Sequence, residues 1–306
     1  MEKFFALSFL CLFFCSCGDS NIKNDIDKFP AELVEFEPSE MNPVFKGGGK
    51  GSWDEMIRER GFILHDGDLY RMWYTGYRDT VSNIKYLGYA TSEDGIHWER
   101  YKDNPIFRGK WTEDMFVQKV GSIYYMYAEG TNDRAHLLTS KDGIHWEEIG
   151  DLVIEKRDGE IIEPPYGTPT LWIEDGKWYL FYERNDMGVW LATSNDKLHW
   201  KNVQDDPVLP MGPGEYDKEA VAANQIVKQN GYYYLYYHAT GHPEWMTKEV
   251  DWSSNVARSK DLINWEKYPD NPIIDGNFSS PILVFEGGKP VLYTMHARVD
   301  RFEHKN

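Results

Sequence analysis

The stretch Thr91–Trp98, TSEDGIHW, constrains this chain more than any other, because it recurs. The copies are TSKDGIHW at Thr139–Trp146, TSNDKLHW at Thr193–Trp200 and RSKDLINW at Arg258–Trp265. Their tryptophans stand 48, 54 and 65 residues apart. A period of this size, carried by short strands, means a repeat architecture. The tag itself is turn chemistry. Ser and Asp side chains bond nearby backbone, Gly supplies a positive φ, and Trp packs back beneath the turn. It reads as a clasp between two outer strands of each repeat, and bears on the fold rather than on any chemistry.

An aromatic-rich strand precedes every tag: YRMWYTGY from Tyr70, YYMYAEG from Tyr124, WYLFYER from Trp178 and YYYLYYHAT from Tyr232. Around these the unit can be written out in full. A loop rich in Trp, Glu and Asp leads into an inner strand and a Gly turn. The aromatic strand, a short third strand, the tag and a fourth strand follow, ending in exits such as DNPIF, DDPVL and DNPII. Alternating strands with Gly turns and no helical period give four strands per unit, which is a propeller blade. Units begin near Trp53, Trp111, Glu163 and Glu215, and a fifth near Asn277 lacks its outer strands. The expected fold is all-β, a five-bladed β-propeller of four-stranded blades. Ala31–Glu37 (AELVEFE) alternates as a strand should, and is expected to complete the fifth blade and close the ring.

The 306 residues suffice for one large all-β domain, and 15% aromatic content suits a β fold or a sugar-stacking surface. A net charge of −17 without a Lys/Arg cluster argues against nucleic acid and anionic membrane surfaces as partners. Lys3 followed by apolar Phe4–Phe14 reads as a targeting segment, too short to anchor across a bilayer. The following Cys15-Ser16-Cys17-Gly18 resembles a bacterial lipoprotein signal with Cys17 lipidated. That implies a signal at 1–17, a tether at 18–30 and a propeller domain at 31–306. The protein would sit at the bacterial cell envelope, touching membrane only through its lipid. All three cysteines lie in the leader, so the mature domain has no nucleophilic Cys and no Cys-ligated zinc.

Five such blades resemble the five-bladed propeller glycosidases, the clan of glycoside hydrolase families 32, 43, 62, 68, 117 and 130, with a family 43-like layout. In that clan the inner strand of a blade often opens on a carboxylate facing the funnel. Asp114-Met-Phe-Val-Gln-Lys-Val-Gly-Ser-Ile-Tyr-Tyr matches this layout with Asp114 in the carboxylate position. Ile57-Arg58-Glu59-Arg60 resembles the first-blade start, with Glu59 for Asp. Lys218-Glu219-Ala220 resembles the start that carries the general acid, a few residues early. In the third blade Thr168 replaces a carboxylate. The tag also looks like the Asp-box of sialidases, a turn that recurs in unrelated propellers; sialidases use six blades and an arginine triad.

The resemblance implies acid/base hydrolysis of glycosidic bonds in a carbohydrate substrate, which needs two carboxyl groups flanking the bond. Glu219, followed by Ala-Val-Ala-Ala, has the most apolar setting and is expected to be the acid. Glu59, between Arg58 and Arg60, suits the base or nucleophile, with Asp54 competing for that role. Asp114 would orient substrate and tune the acid. Each has a plain structural reading too: a surface loop residue, an ion pair with the arginines, and a turn cap. Trp53, Asp54, Arg58, Trp111, Tyr166, Thr168 and His238 are expected to contact substrate, and the loop Gly241–Trp252 to be a funnel cover or surface decoration. No cofactor and no metal are expected, a structural cation near His238, His242 and His296 being the alternative. The other function open to this fold is a non-catalytic glycan-binding lipoprotein, to which Thr168 and the displaced Glu219 point.

Overall fold

The structure, a computed structural model, describes residues 28–78 and 85–305. The leader, Cys17 and most of the 18–30 tether lie outside the described residues. Ala31 onward folds as one unit. Its second strands are buried on both faces, as in Leu69–Tyr77 and Tyr232–Thr240, because each sheet is sandwiched between two others. Five sheets result, antiparallel except where Val153–Glu155 adds a parallel edge to the third. Blade 1 is Met56–Asp66, Leu69–Tyr77, Tyr86–Ser92 and Glu99–Arg100; blade 2 is Glu113–Val120, Ile123–Glu129, Ala135–Ser140 and Trp146–Asp151. Blade 3 is Gly167–Glu174, Lys177–Glu183, Gly188–Ser194 and His199–Asn202; blade 4 is Ala220–Gln229, Tyr232–Thr240, Ser253–Ser259 and Trp265–Lys267. The first strand of each blade touches the first strand of the next, and blade 5 touches blade 1, so the ring is closed.

Blade 5 is Pro281–Glu286, Lys289–Met295 and Arg298–His304, with Phe36–Pro38 as its outer strand. It therefore has its own third strand, and the chain start supplies only the fourth. Ala31–Val34 is a helical turn, not the alternating strand expected. A turn this short leaves carbonyls without helical partners, and one of these is used. The Tyr236 hydroxyl donates to the Leu33 carbonyl at 2.8 Å.

That bond belongs to a series. The fifth residue of every second strand is fully buried and reaches into the next blade. Trp73 Nε1 donates to Gly143 O (2.7 Å), the Tyr127 hydroxyl to Lys197 O (3.0 Å) and the Tyr293 hydroxyl to Gly95 O (3.1 Å). Those three carbonyls all belong to tags. Blade 3 has Phe181 there, which lies edge-on to tag residue Trp265 instead. The N-terminal helical turn thus stands in for the tag that blade 5 lacks.

Within a tag the expected turn chemistry is present in full. Asp142 Oδ1 accepts from the Ile144 and His145 amides (2.9 and 2.8 Å), Ser140 Oγ from the Gly143 amide (2.9 Å), and Trp146 Nε1 donates to Gly143 O (3.0 Å). The Gly position is left-handed in every copy, at φ 79° in Gly143 and φ 74° in Lys197, which holds it without glycine's freedom.

Candidate active site

The funnel is built by a defect repeated from blade to blade. The inner strands of blades 1, 2 and 3 slip register between Arg58 and Phe62, Glu113 and Phe116, and Gly167 and Thr170. Each bulge turns one polar residue inward in a left-handed conformation: Glu59 (φ 58°), Asp114 (φ 45°) and Thr168 (φ 44°). Such conformations cost non-glycine residues about 1–3 kcal/mol and persist where surrounding bonds enforce them. Arg60 does the enforcing. It is completely buried. Its backbone amide donates to Asp114 Oδ1 (3.1 Å), and its guanidinium to Thr170 Oγ1 (2.8 Å), Pro169 O (2.9 Å), Ala223 O (2.9 Å) and the Asp114 carbonyl. One side chain from blade 1 thereby ties blades 2, 3 and 4 to the floor.

A second ring comes from the seventh residue of the second strands: Glu129 in blade 2, Glu183 in blade 3 and His238 in blade 4. Glu129 accepts the Thr168 amide (3.1 Å), and Glu183 accepts the Asp186 amide (2.5 Å). Gly167 lies between them, and a Cβ there would overlap the Glu129 carboxylate and crowd Glu183. So Thr168, though not an acid, holds one in place.

These groups line a cavity of about 730 Å³ together with eight carboxyl residues in all, against the cations Arg58, Lys85 and Lys248. Crowding and burial act on the acids. Burial, then the charges of Glu59 and its neighbours, pushes Asp114 up to about 6. Burial, only partly offset by Lys85, carries Glu113 to about 8, and burial takes Glu183 to about 7. Glu129 is raised well above the ordinary carboxylate range for the same reason. Burial, with Arg60 and His296 adding to it, lowers His238 to about 3, so it is neutral, with Nδ1 3.0 Å from Asn224 Nδ2.

Among the residues expected from sequence, the structure brings Glu59, Asp114, Arg58, Thr168 and His238 together in this cavity. It does not bring Glu219 there. That residue precedes the first strand of blade 4, is half-buried, and uses its amide on Thr240 O (3.2 Å). Asp54 is buried elsewhere as a strut, accepting from the Tyr74 hydroxyl (3.0 Å) and Arg100 Nε (2.8 Å). Trp53 packs on Tyr74. Trp111 braces Glu113 through Nε1 at 2.5 Å rather than facing the cavity. Tyr166 is buried, with its hydroxyl on Leu152 O (2.7 Å), and is not free to stack on a sugar. Sequence reasoning passed over Glu113, Glu129, Glu183 and Lys85. The signal for Glu129 and Glu183 was their common place at the end of YYMYAEG and WYLFYER.

No family model matches the chain. It is 27% identical over 287 residues to the 1,2-beta-oligomannan phosphorylase of Thermoanaerobacter sp. (strain X514), covering 84% of this chain and 94% of that protein. The beta-1,2-mannobiose phosphorylase of the same organism is 25% identical over 214 residues, 64% of this chain and 69% of that protein. Among solved structures, a glycosyl hydrolase from Bacteroides ovatus superposes with a TM-score of 0.68 at 16% identity, covering 90% of this chain and 95% of that one. A structure reported with the GH130 mannoside phosphorylases, a family containing hydrolases that target β-1,2 mannosidic linkages in Candida mannan, gives 0.67 at 15% identity over 88% and 93%. The fold is that of the five-bladed glycoside hydrolases and phosphorylases. These two sequence relatives are glycoside-processing enzymes named for β-1,2-linked mannosides, and the solved structures similar in fold include one reported with GH130.

Proposed function

We propose that this chain hydrolyses β-1,2-linked mannosides, with Asp114 as general acid and Glu59 as the base that activates water. The observation that carries the reading is the pairing of these two carboxyl groups on adjacent bulges of one enclosed funnel. The two interact: burial raises Asp114 most, and the charge of Glu59 raises it further. A carboxylic acid that keeps its proton to about pH 6 can donate it to the departing glycosidic oxygen, while a carboxylate paired with Arg58 takes a proton from water. The bond from the anomeric carbon to that oxygen breaks as the bond to water oxygen forms.

The relatives' names favour phosphorolysis, but the charge of the cavity favours water. A phosphate dianion needs cations free to receive it. Among the described residues, Arg58 is bonded to Glu59, Lys85 to Glu113 and Lys248 to Glu244. Incubating purified protein with β-1,2-mannobiose, with and without inorganic phosphate, separates the readings. Hydrolysis gives mannose at a phosphate-independent rate; mannose 1-phosphate as product would reject it. Binding without turnover of a broad oligosaccharide panel would instead favour the non-catalytic glycan-binding lipoprotein. The envelope location and lipid anchor are part of the same proposal and rest on the leader sequence alone. Radiolabelled palmitate should enter the wild-type protein and not Cys17→Ala; equal labelling removes the anchor from the reading.

A further inference from the structure

The segment Gly241–Trp252 is the longest connection between second and third strands, and the catalytic reading above makes no use of it. Its two ends are stitched together: the neighbouring strands pair up to Ala239 and Ser253, and Thr240 Oγ1 donates to Asp251 O (3.0 Å). Inside it, the Thr247 and Lys248 amides both donate to Glu244 O (3.0 and 2.9 Å), and Lys248 Nζ bonds Glu244 (2.7 Å). Trp252 donates its amide to Asn277 Oδ1 (3.2 Å). The segment is thus a flap tied at both ends and braced within itself.

What it presents is aromatic. Trp245 stands edge-on to Trp252 at 5.6 Å, and Trp252 edge-on to His238 at 5.2 Å, which fixes the ring planes against the cavity. Every residue from Trp245 to Val250 lines the cavity, as does Trp252. Burial orders the space from floor to mouth. Asp114 and Glu129 are buried, whereas Met246 of the flap is 68% exposed. The acids that would break the bond lie deep, and the aromatic wall lies at the rim. A pyranose has an apolar C–H face that packs on an indole ring, and its hydroxyls leave little else for such a wall to recognise. A cavity of about 730 Å³ falls within the range that encloses ligands larger than one sugar ring.

We propose that the Gly241–Trp252 flap is the subsite for the sugar on the leaving-group side, with Trp245 stacking on its ring, so that the site selects oligosaccharides over simple glycosides. This rests on the catalytic reading for the word "leaving", but the stacking itself does not.

The test compares two substrates that differ in having that ring. β-1,2-Mannobiose carries it; β-mannosyl fluoride has the same glycone and no second sugar. In Trp245→Ala, the ratio of kcat/KM for mannobiose to that for the fluoride should fall about tenfold, the order expected for one lost stack with its buried area. Trp245→Tyr should restore most of it. An unchanged ratio overturns the proposal, as does a fall the tyrosine variant does not rescue. If wild type turns over neither substrate, the catalytic reading fails by itself. Calorimetry then decides the flap: mannobiose binding tighter than mannose, with the difference lost in Trp245→Ala, supports it. Equal affinities for the two sugars, or no binding of mannobiose, sink it.

Discussion

At the scale of single residues, the acid assignment turns on where each bulge falls. Glu59 and Asp114 face inward because the register slips at their positions. In blade 4 the slip comes between Ala223 and Gln225, so the residue turned inward is Asn224 and Glu219 lies upstream of it. The apolar run that made Glu219 attractive in the sequence is simply a buried strand. Asp114→Asn should therefore lose about 10²–10⁴ in kcat/KM, the usual worth of a positioned acid, with its thermal midpoint little changed. Glu219→Gln, outside the cavity, should stay within about twofold of wild type. A larger loss in Glu219→Gln than in Asp114→Asn would return the acid to Glu219. The wild-type rate should also fall as pH rises through about 6, where Asp114 gives up its proton, a limb visible in a pH profile of kcat/KM. Asp114 was legible because a strand-start motif announced it. Glu129 and Glu183 were not, because a carboxyl ending a Tyr-rich strand looks like a strand terminus until its register is compared across blades.

At the scale of elements, the tag is a stability device, and its loss can be sized. Asp142→Ala removes the acceptor of two backbone amides in one turn. Lost caps of this kind cost about 1–2 kcal/mol, so the midpoint should drop by a few degrees while activity at low temperature is kept. Calorimetry beside a rate assay checks both; a lost activity at unchanged midpoint would contradict the reading. The four tags and the blade order were plain in the sequence because each tag needs the same side chains to satisfy the same amides. The closing turn was not, because Leu33 offers only a backbone carbonyl to Tyr236, and any residue has one. A better signal was present two elements on. Asn42-Pro43-Val44-Phe45 repeats the exits at Asn104 and Asn271, and Asn42 exchanges bonds with the Arg301 backbone as Asn104 does with Tyr89. Deleting residues 31–46 should leave Arg298–His304 as an unpaired edge, and such edges associate. Size-exclusion chromatography should show oligomers where the longer chain is monodisperse.

At the scale of the whole molecule, two sets of acids pull stability in opposite directions with pH. The tag aspartates Asp94, Asp142, Asp196 and Asp261 are held below the ordinary range, Asp94 by the His97 amide above all and Asp142 by the bonds from His145 and Ile144 outweighing its burial. Their contribution is present above about pH 4 and is lost as pH falls through the folded values. The funnel acids are displaced upward. Glu183, at about 7 in the fold against 4.5 ordinarily, keeps a proton that the unfolded chain has released. Folded protein then binds more protons than unfolded, so stability falls as pH rises across that interval, by about 1.4 kcal/mol for each pH unit and proton. A net charge of −17 acts in the same sense, since self-repulsion grows as further acids ionise. The thermal midpoint should therefore be highest in mild acid, near pH 5, and decline toward pH 8. Glu183→Gln isolates the share of this one acid. The amide cannot ionise, yet its oxygen can still accept the Asp186 amide that the carboxylate accepts now. Its midpoint should fall less steeply than wild type between pH 5 and pH 8, with the two curves nearest at pH 5, where Glu183 is protonated. Parallel curves over that interval would mean that Glu183 is already ionised in the fold and that its neighbours, not burial, set the pH dependence.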